Sequence, residues 1–267
     1  MGCEKELFHY VKKINFITAH VKKLQQRLHA KELKVLDIGC GTGNISLAIA
    51  GLGCNVIGFD LDKESIAYAR KRIKKGMRCR FFIGNAHELK IKERFDIIIC
   101  SEVLEHLKNP ESLLKFISEN LDKRGFLYLS VPHGYGPAEI SVMPRRIIGR
   151  VLKKLGLYES ARKIRHCIIR NPMQKARKSF GVDTLNNSGE GALHAQFFSL
   201  RKLKRMLMKY HLQIKERQNT YVLLGTFPFY YLFAKSRKLQ IMDCKIADFM
   251  PGLFVSGWGF IVEKADN

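Results

Sequence analysis

Lys34–Asn44 reads KVLDIGCGTGN: a short apolar run, an aspartate, then glycines at 39, 41 and 43. A hydrophobic strand that ends in a glycine-rich turn and opens a helix is a common nucleotide cradle, because glycine tolerates tight backbone and lets a ligand come close. The dinucleotide fingerprint G-x-G-x-x-G fails in register. After Gly39 and Gly41 the third glycine is Gly43, one position early, and starting from Gly41 puts Ser46 in the third place. Asp37 stands directly before the loop. A carboxylate there repels a pyrophosphate and suits a cation.

Outward from this loop the chain alternates strand and helix with little slack. KVLDIG, CNVIGFD, CRFFIGNA, FDIIIC and FLYLSVP read as strands, separated by helical NISLAIAGLG, KESIAYARKRIKKG and PESLLKFISENLDKRG. The last of these carries Pro110 in its first turn and Gly125 past its expected end. Repeated units of this length predict parallel strands, right-handed crossovers and helices on both faces. After Pro132 the rhythm breaks, then resumes with a helix at 199–211, a strand near 213–224 and a last strand in GWGFIVEK. The expected fold is therefore α/β, a Rossmann-like, doubly wound, mostly parallel seven-stranded sheet with inserted helical segments. The expected organisation is a basic helical extension at 1–33 and one domain at 34–267. Irregular substrate-side inserts are expected at about 133–195 and 225–256.

VLDIGCGTGN has the D-x-G-x-G-x-G form of class I S-adenosylmethionine-dependent methyltransferases, and the chain resembles that superfamily from Lys34 through Val131. Further motifs follow in order: IGFDLD, GNAHEL and FDIIICSEVLEHLKNP. The resemblance implies S-adenosylmethionine as cofactor, held by Asp37, Gly39, Cys40, Gly41 and Gly43, with Asp60 on the ribose hydroxyls beside Leu61. It implies Asn85 and Ala86 at the adenine, Asn85 standing where many relatives carry aspartate. The end of the fourth strand, with Ser101, lines the methyl donor.

Methyl transfer from a sulfonium needs alignment, water exclusion and, for an oxygen acceptor, removal of a proton. In SEVLEH, a helix beginning near Glu102 would set Glu102, Glu105 and His106 on one face, where they could hold a divalent metal. The string is similar to the metal-binding E-x-x-E-H of small-RNA 2′-O-methyltransferases and the E-V-x-E-H of ubiquinone-pathway O-methyltransferases. His194 stands in a place like the late histidine of those families. Helix N-terminal acids with a surface histidine give the same string without a metal. His133, in VPHGYGP, is the other candidate general base, and Tyr135 a candidate substrate wall. The expected catalytic residues are His133, Glu102 and His106.

The composition bounds partners more than fold. The chain has 267 residues, 46% of them hydrophobic, and a formal net charge of +23, which exclude wholesale disorder and favour a polyanion or anionic membrane surface. Twelve Lys/Arg against one acid, Glu159, fall between Pro144 and Lys178. A basic amphipathic helix around 145–170 could lie on anionic lipid. The longest apolar run, Tyr221–Ala234, is too short to span a bilayer. Seven scattered cysteines without a C-x-x-C pair read as buried hydrophobes in a reducing compartment. With no signal-like N-terminus, the expected location is cytoplasmic, with peripheral membrane contact. The leading expectation is O-methylation of a small or lipid-linked acceptor. The alternatives are an RNA 2′-O-methyltransferase and a catalytically silent binding subunit of the same fold.

Overall fold

The computed structural model describes residues 8–85, 93–138, 140–141, 195–224, 226, 229, 233 and 236–265. The basic run at 144–178, His194, Ala86 and half of Tyr221–Ala234 lie outside these residues.

Helix α1 (Phe8–Leu28) precedes strand β1 (Lys34–Ile38), helix α2 (Asn44–Ala50), β2 (Asn55–Asp60), α3 (Lys63–Lys71) and β3 (Cys79–Ile83). Strand β4 (Phe95–Ser101), α4 (Pro110–Asn120) and β5 (Leu121–Pro132) follow. The chain closes with α5 (Leu200–Lys209), β6 (Leu212–Asn219), α6 (Arg237–Phe249) and β7 (Gly257–Lys264). The strands form one seven-stranded sheet in the order β3-β2-β1-β4-β5-β7-β6. The first five pair in parallel, and β7 runs antiparallel between β5 and β6. Strand order reverses between β1 and β4, which puts the ends of both strands at the crevice where such sheets bind ligands.

Period-two alternation splits the apolar residues into two cores. Leu36, Ile98, Cys100, Leu127 and Leu129 pack with α4 and α5 through Leu113, Leu114, Leu203 and Leu207. Val35, Ile97, Ile99, Phe126 and Tyr128 face the other way, against Ile17, Val21 and Leu24 of α1 and Ile45 and Ile49 of α2. The N-terminal helix is thus a covering layer of the sheet.

Three local expectations differ. The fourth helix stops at Asn120 and β5 begins at Leu121. Gly125 belongs to this strand, where a Cβ would stand 2.2 Å from the Asp96 carbonyl oxygen, so close approach to β4 demands the glycine. The stretch 225–256 is not all irregular. Ser236 caps α6 by accepting from the Leu239 N–H (3.4 Å), and Gln240, Asp243, Cys244 and Ala247 form its buried stripe. Two of those four are polar, which hides the period from an apolar count. Finally, no α-helix begins at Glu102. Its φ is +58°, in the left-handed region, and only Leu104–His106 form a short 3-10 turn.

Candidate active site

The glycine loop is built by close packing. Gly39 has φ +71°, and a Cβ there would lie 2.4 Å from Val103 Cγ2; Gly43 has φ +78°, with Phe81 Cζ at 2.6 Å. Gly41 also has positive φ (+51°), but nothing lies within 4 Å of its Cβ position, so it borders open space. The N–H groups of Gly39 and Cys40 both donate to the Phe59 carbonyl (2.8 and 3.0 Å), that of Gly43 to Cys40 (2.9 Å), and that of Gly41 to Asp60 Oδ2 (2.7 Å). These donors are spent inside the fold. An anionic pyrophosphate would find none of them free.

Asp37 lies beneath the loop, 1% exposed, and its Oδ2 accepts from the Ser46 hydroxyl at 2.5 Å. Burial pushes its carboxyl up to about 7, with Asp60 adding to the shift and the Ser46 bond opposing it. Asp60 ends β2 and accepts from the amides of Gly41 and Asp62 (2.7 and 2.9 Å). Strand register sets Asp60 beside Ile83, and the Gly84 N–H donates to the Asp60 carbonyl (3.0 Å). Leu61 and Ile83 are exposed here and Asn85 is half-buried, so exposed apolar side chains stand beside a carboxylate at the ends of β2 and β3. Cys40 is half-buried, and burial raises its thiol far above the ordinary range.

The ends of β4 and β5 carry a charged network. Ser101 and Ser130 are register partners with hydroxyls 3.0 Å apart. Ser130 Oγ donates to Glu102 Oε1 at 2.6 Å. Lys13, reaching in from α1, donates to Ser101 Oγ (3.0 Å), Ser130 Oγ (3.3 Å) and Glu102 Oε1 (3.3 Å), which uses all three of its ammonium hydrogens. Lys13 is buried, whereas the Glu102 side chain remains 43% exposed. Burial opposes ionisation of Glu102, but Lys13 and the Ser130 bond outweigh it and hold the carboxyl below its ordinary value. Glu105 is buried behind it, and burial plus the Glu102 charge push its carboxyl well above the usual range. Among the described residues, its Oε2 has no hydrogen-bond partner. A proton on Glu105, donated towards Glu102, removes both penalties.

The expected metal set is not assembled on one helical face. Glu102 is engaged by Lys13 and Ser130, Glu105 is buried, and His106 Nε2 lies 3.9 Å from Glu105 Oε1. Among the described residues, no three His, Cys, Asp or Glu side chains converge in a metal-holding group. His194, the fourth expected member, lies outside them.

His133 is 2% exposed, stacks on Trp258 (centroids 4.3 Å apart) and has Nδ1 3.0 Å from the Val255 carbonyl. Burial lowers its pKa against the raising effect of that bond, so the ring is neutral and donates from Nδ1. Its backbone N–H donates to Ser256 (3.0 Å), tying the 133–136 loop to the start of β7. Tyr135 at the tip of that loop is exposed.

Residues 29–157 match a family model described as a methyltransferase domain. This part of the chain is similar to methyltransferase domains, and its sheet has their fold. Its relatives include the ubiquinone biosynthesis O-methyltransferase of Pelagibacter ubique (strain HTCC1062), 34% identical over 101 residues, covering 38% of this chain and 42% of that protein. The enzyme of the same description from Glaesserella parasuis serovar 5 (strain SH0165) is 37% identical over 105 residues, covering 36% of this chain and 44% of that protein. The matched segment thus spans less than half the length of either relative. The crystal structure of magnesium protoporphyrin IX methyltransferase from Synechocystis PCC 6803, with bound SAH (S-adenosylhomocysteine), shares the fold. Its TM-score is 0.51 at 16% identity, over 95% of this chain and 84% of that one. Helix α1 precedes the matched domain, so its contribution of Lys13 to the site is a feature the methyltransferase motifs do not announce. The available signal is phase: Lys13 keeps step with Ile17, Val21 and Leu24 on the buried stripe.

Proposed function

We propose that this chain transfers a methyl group from S-adenosylmethionine to an oxygen of a small, lipid-linked acceptor, with Glu102 receiving the acceptor's proton. The observation that carries this reading is Glu102 itself. It is a non-glycine residue in left-handed backbone at the end of β4, its carboxylate held by Ser130 and Lys13 and still partly open to solvent. Such strain persists only where surrounding structure enforces it, and it concentrates at functional sites.

The donor fits the residues present. Asp60 would accept from the ribose hydroxyls, Leu61 and Ile83 would flank the adenine with Asn85, and the glycine loop allows close approach without presenting anion-seeking N–H groups. When bound, the donor supplies a methyl group on a sulfonium, which the acceptor oxygen displaces in line while the electron pair of the broken bond stays on sulfur. As the new oxygen–carbon bond forms, the acceptor's proton becomes strongly acidic, so a carboxylate held below its ordinary pKa can still take it. Glu102 then returns that proton to solvent through its exposed side. His133, buried and bonded to backbone, anchors the acceptor-side loop in this reading.

The acceptor class rests on the ubiquinone-pathway relatives and the basic, apolar-decorated surface. The test is transfer of labelled methyl from S-adenosylmethionine into fractionated cell extract. Label is expected in the lipid-extractable small-molecule fraction. Label in RNA or protein instead would overturn the acceptor class, and no labelling with no donor binding would overturn the activity.

A further inference from the structure

The outward face of α6 and the turn after it form an apolar surface that the described residues leave exposed. Met242, Ile246 and Phe249 follow one another at helical spacing on the exposed side, and Leu253 and Phe254 continue the surface in the 3-10 turn Gly252–Phe254. Phe249 is 91% exposed and Leu253 67%. Scattered exposed apolar residues need no explanation, but a run of five within one helix and its following turn does.

Charge on this helix is sorted by side. Both of its acids are engaged by partners outside this face. Asp243 is buried and accepts from the backbone N–H groups of Val222, Leu223 and Leu224 at 2.9–3.2 Å. Asp248 pairs with Lys12 of α1 at 2.6 Å, and Lys12 also donates to the carbonyls of Asn219 and Cys244 (2.9 Å each). The exposed Lys238 and Lys245 have no ion-pair partner among the described residues, and they lie on the same side as Met242, Ile246 and Phe249. A face of exposed phenylalanine, aliphatic side chains and uncompensated lysines, on a chain of net charge +23, matches an anionic lipid interface.

The surface also continues to the rim of the candidate site. The turn leads through Val255 and Ser256, whose carbonyls hold His133 by its ring and its backbone N–H (3.0 Å each). Exposed Tyr135 lies two residues further on. The patch therefore flanks the loop that follows β5, on the strand-end edge where ligands of such sheets bind.

We propose that Met242, Ile246, Phe249, Leu253 and Phe254, with Lys238 and Lys245, form a docking surface for an anionic membrane that turns the mouth of the site towards the lipid. This deepens the lipid-linked-acceptor reading and rests on it for its purpose, but its test does not depend on that reading. A second copy of the chain is the competing occupant. It is disfavoured because the isologous contact that self-association by this patch would make brings the uncompensated lysines of both copies together.

The experiment is co-sedimentation of the full-length protein with vesicles of phosphatidylcholine alone or mixed with phosphatidylglycerol, with sedimentation velocity on the same samples. Binding is expected only to the mixed vesicles and to weaken with salt. F249S/L253S should reduce partitioning about tenfold and K238E/K245E by about fivefold per lysine. Neither pair touches the residues assigned to the donor, so S-adenosylhomocysteine affinity and melting temperature should stay at wild-type values. Absence of vesicle binding by the wild type overturns the proposal. So does wild-type vesicle binding by F249S/L253S, which would move the contact to another basic region such as 144–178. A concentration-dependent dimer that F249S/L253S dissociates overturns it too, by making the patch a contact between copies. Donor binding without vesicle binding would remove this surface and leave the methyl-transfer reading intact; vesicle binding without donor binding would do the reverse.

Discussion

Glu102 occupies a backbone conformation that costs a non-glycine residue about 1–2 kcal/mol, and Lys13 and Ser130 hold the side chain that results. Replacing only its charge separates chemistry from fold. E102Q keeps the shape and the Ser130 bond but cannot take a proton, so methyl transfer should fall by about 10²–10⁴-fold, with S-adenosylhomocysteine binding changed little. Calorimetry beside a labelled-methyl assay checks this, and wild-type transfer by E102Q would remove Glu102 from the chemistry. K13M tests the support. Breaking a fully buried pair costs about 3–5 kcal/mol, but Glu102 is 43% exposed and solvent screens the charge left behind. A loss of about 1–2 kcal/mol in urea unfolding is therefore expected, with K13R losing less. The string SEVLEH marked Glu102 in the sequence as a residue of interest, because a motif identifies position. It did not give its backbone or its partner. Lys13 was invisible for a physical reason: in a helix rich in lysine, a buried cation differs from a solvated one only by its phase with Ile17, Val21 and Leu24.

At the scale of elements, the strand–helix alternation from Lys34 to Val131 was readable because each strand carries apolar residues on both faces and each helix a single stripe. The failures cluster where one residue type serves two uses. Gly125 looks like a helix stop and is a contact residue of β5. The stripe of α6 contains Gln240 and Asp243, polar groups that satisfy backbone rather than solvent. The glycine loop was legible as an element, and its three glycines are not equivalent. A methyl at Gly39 or Gly43 meets Val103 or Phe81 at 2.4 and 2.6 Å, whereas Gly41 has open space. All three substitutions incur left-handed strain of about 1–2 kcal/mol, but only the outer two add a clash. G41A should therefore lower the melting temperature least, and G39A and G43A more. The three apo proteins compared by calorimetry give the order, and G41A as the least stable would contradict the packing account.

For the molecule as a whole, a formal charge of +23 means that acidification adds repulsion to a chain that already repels itself. Asp62 and Glu111 have carboxyls lowered by hydrogen bonds from Ser65 and Lys209, so their share of stability is lost as pH falls through those lowered values. Asp37 runs in the opposite direction. Burial raises its carboxyl from 3.8 to about 7, so between those values the folded state keeps a proton that the unfolded state has released. Raising the pH across that window then favours unfolding, by at most about 1.4 kcal/mol per pH unit from this one group. The two trends overlap in the wild type, and D37N separates them. Asparagine can still accept from the Ser46 hydroxyl through its amide oxygen, but it does not titrate. Relative to wild type, D37N should gain stability steadily between about pH 4.5 and 6.5, measured by urea unfolding of the apo protein. Parallel pH profiles for the two proteins would mean that Asp37 is ionised when buried, and that the loop satisfies its charge by contacts other than the Ser46 bond.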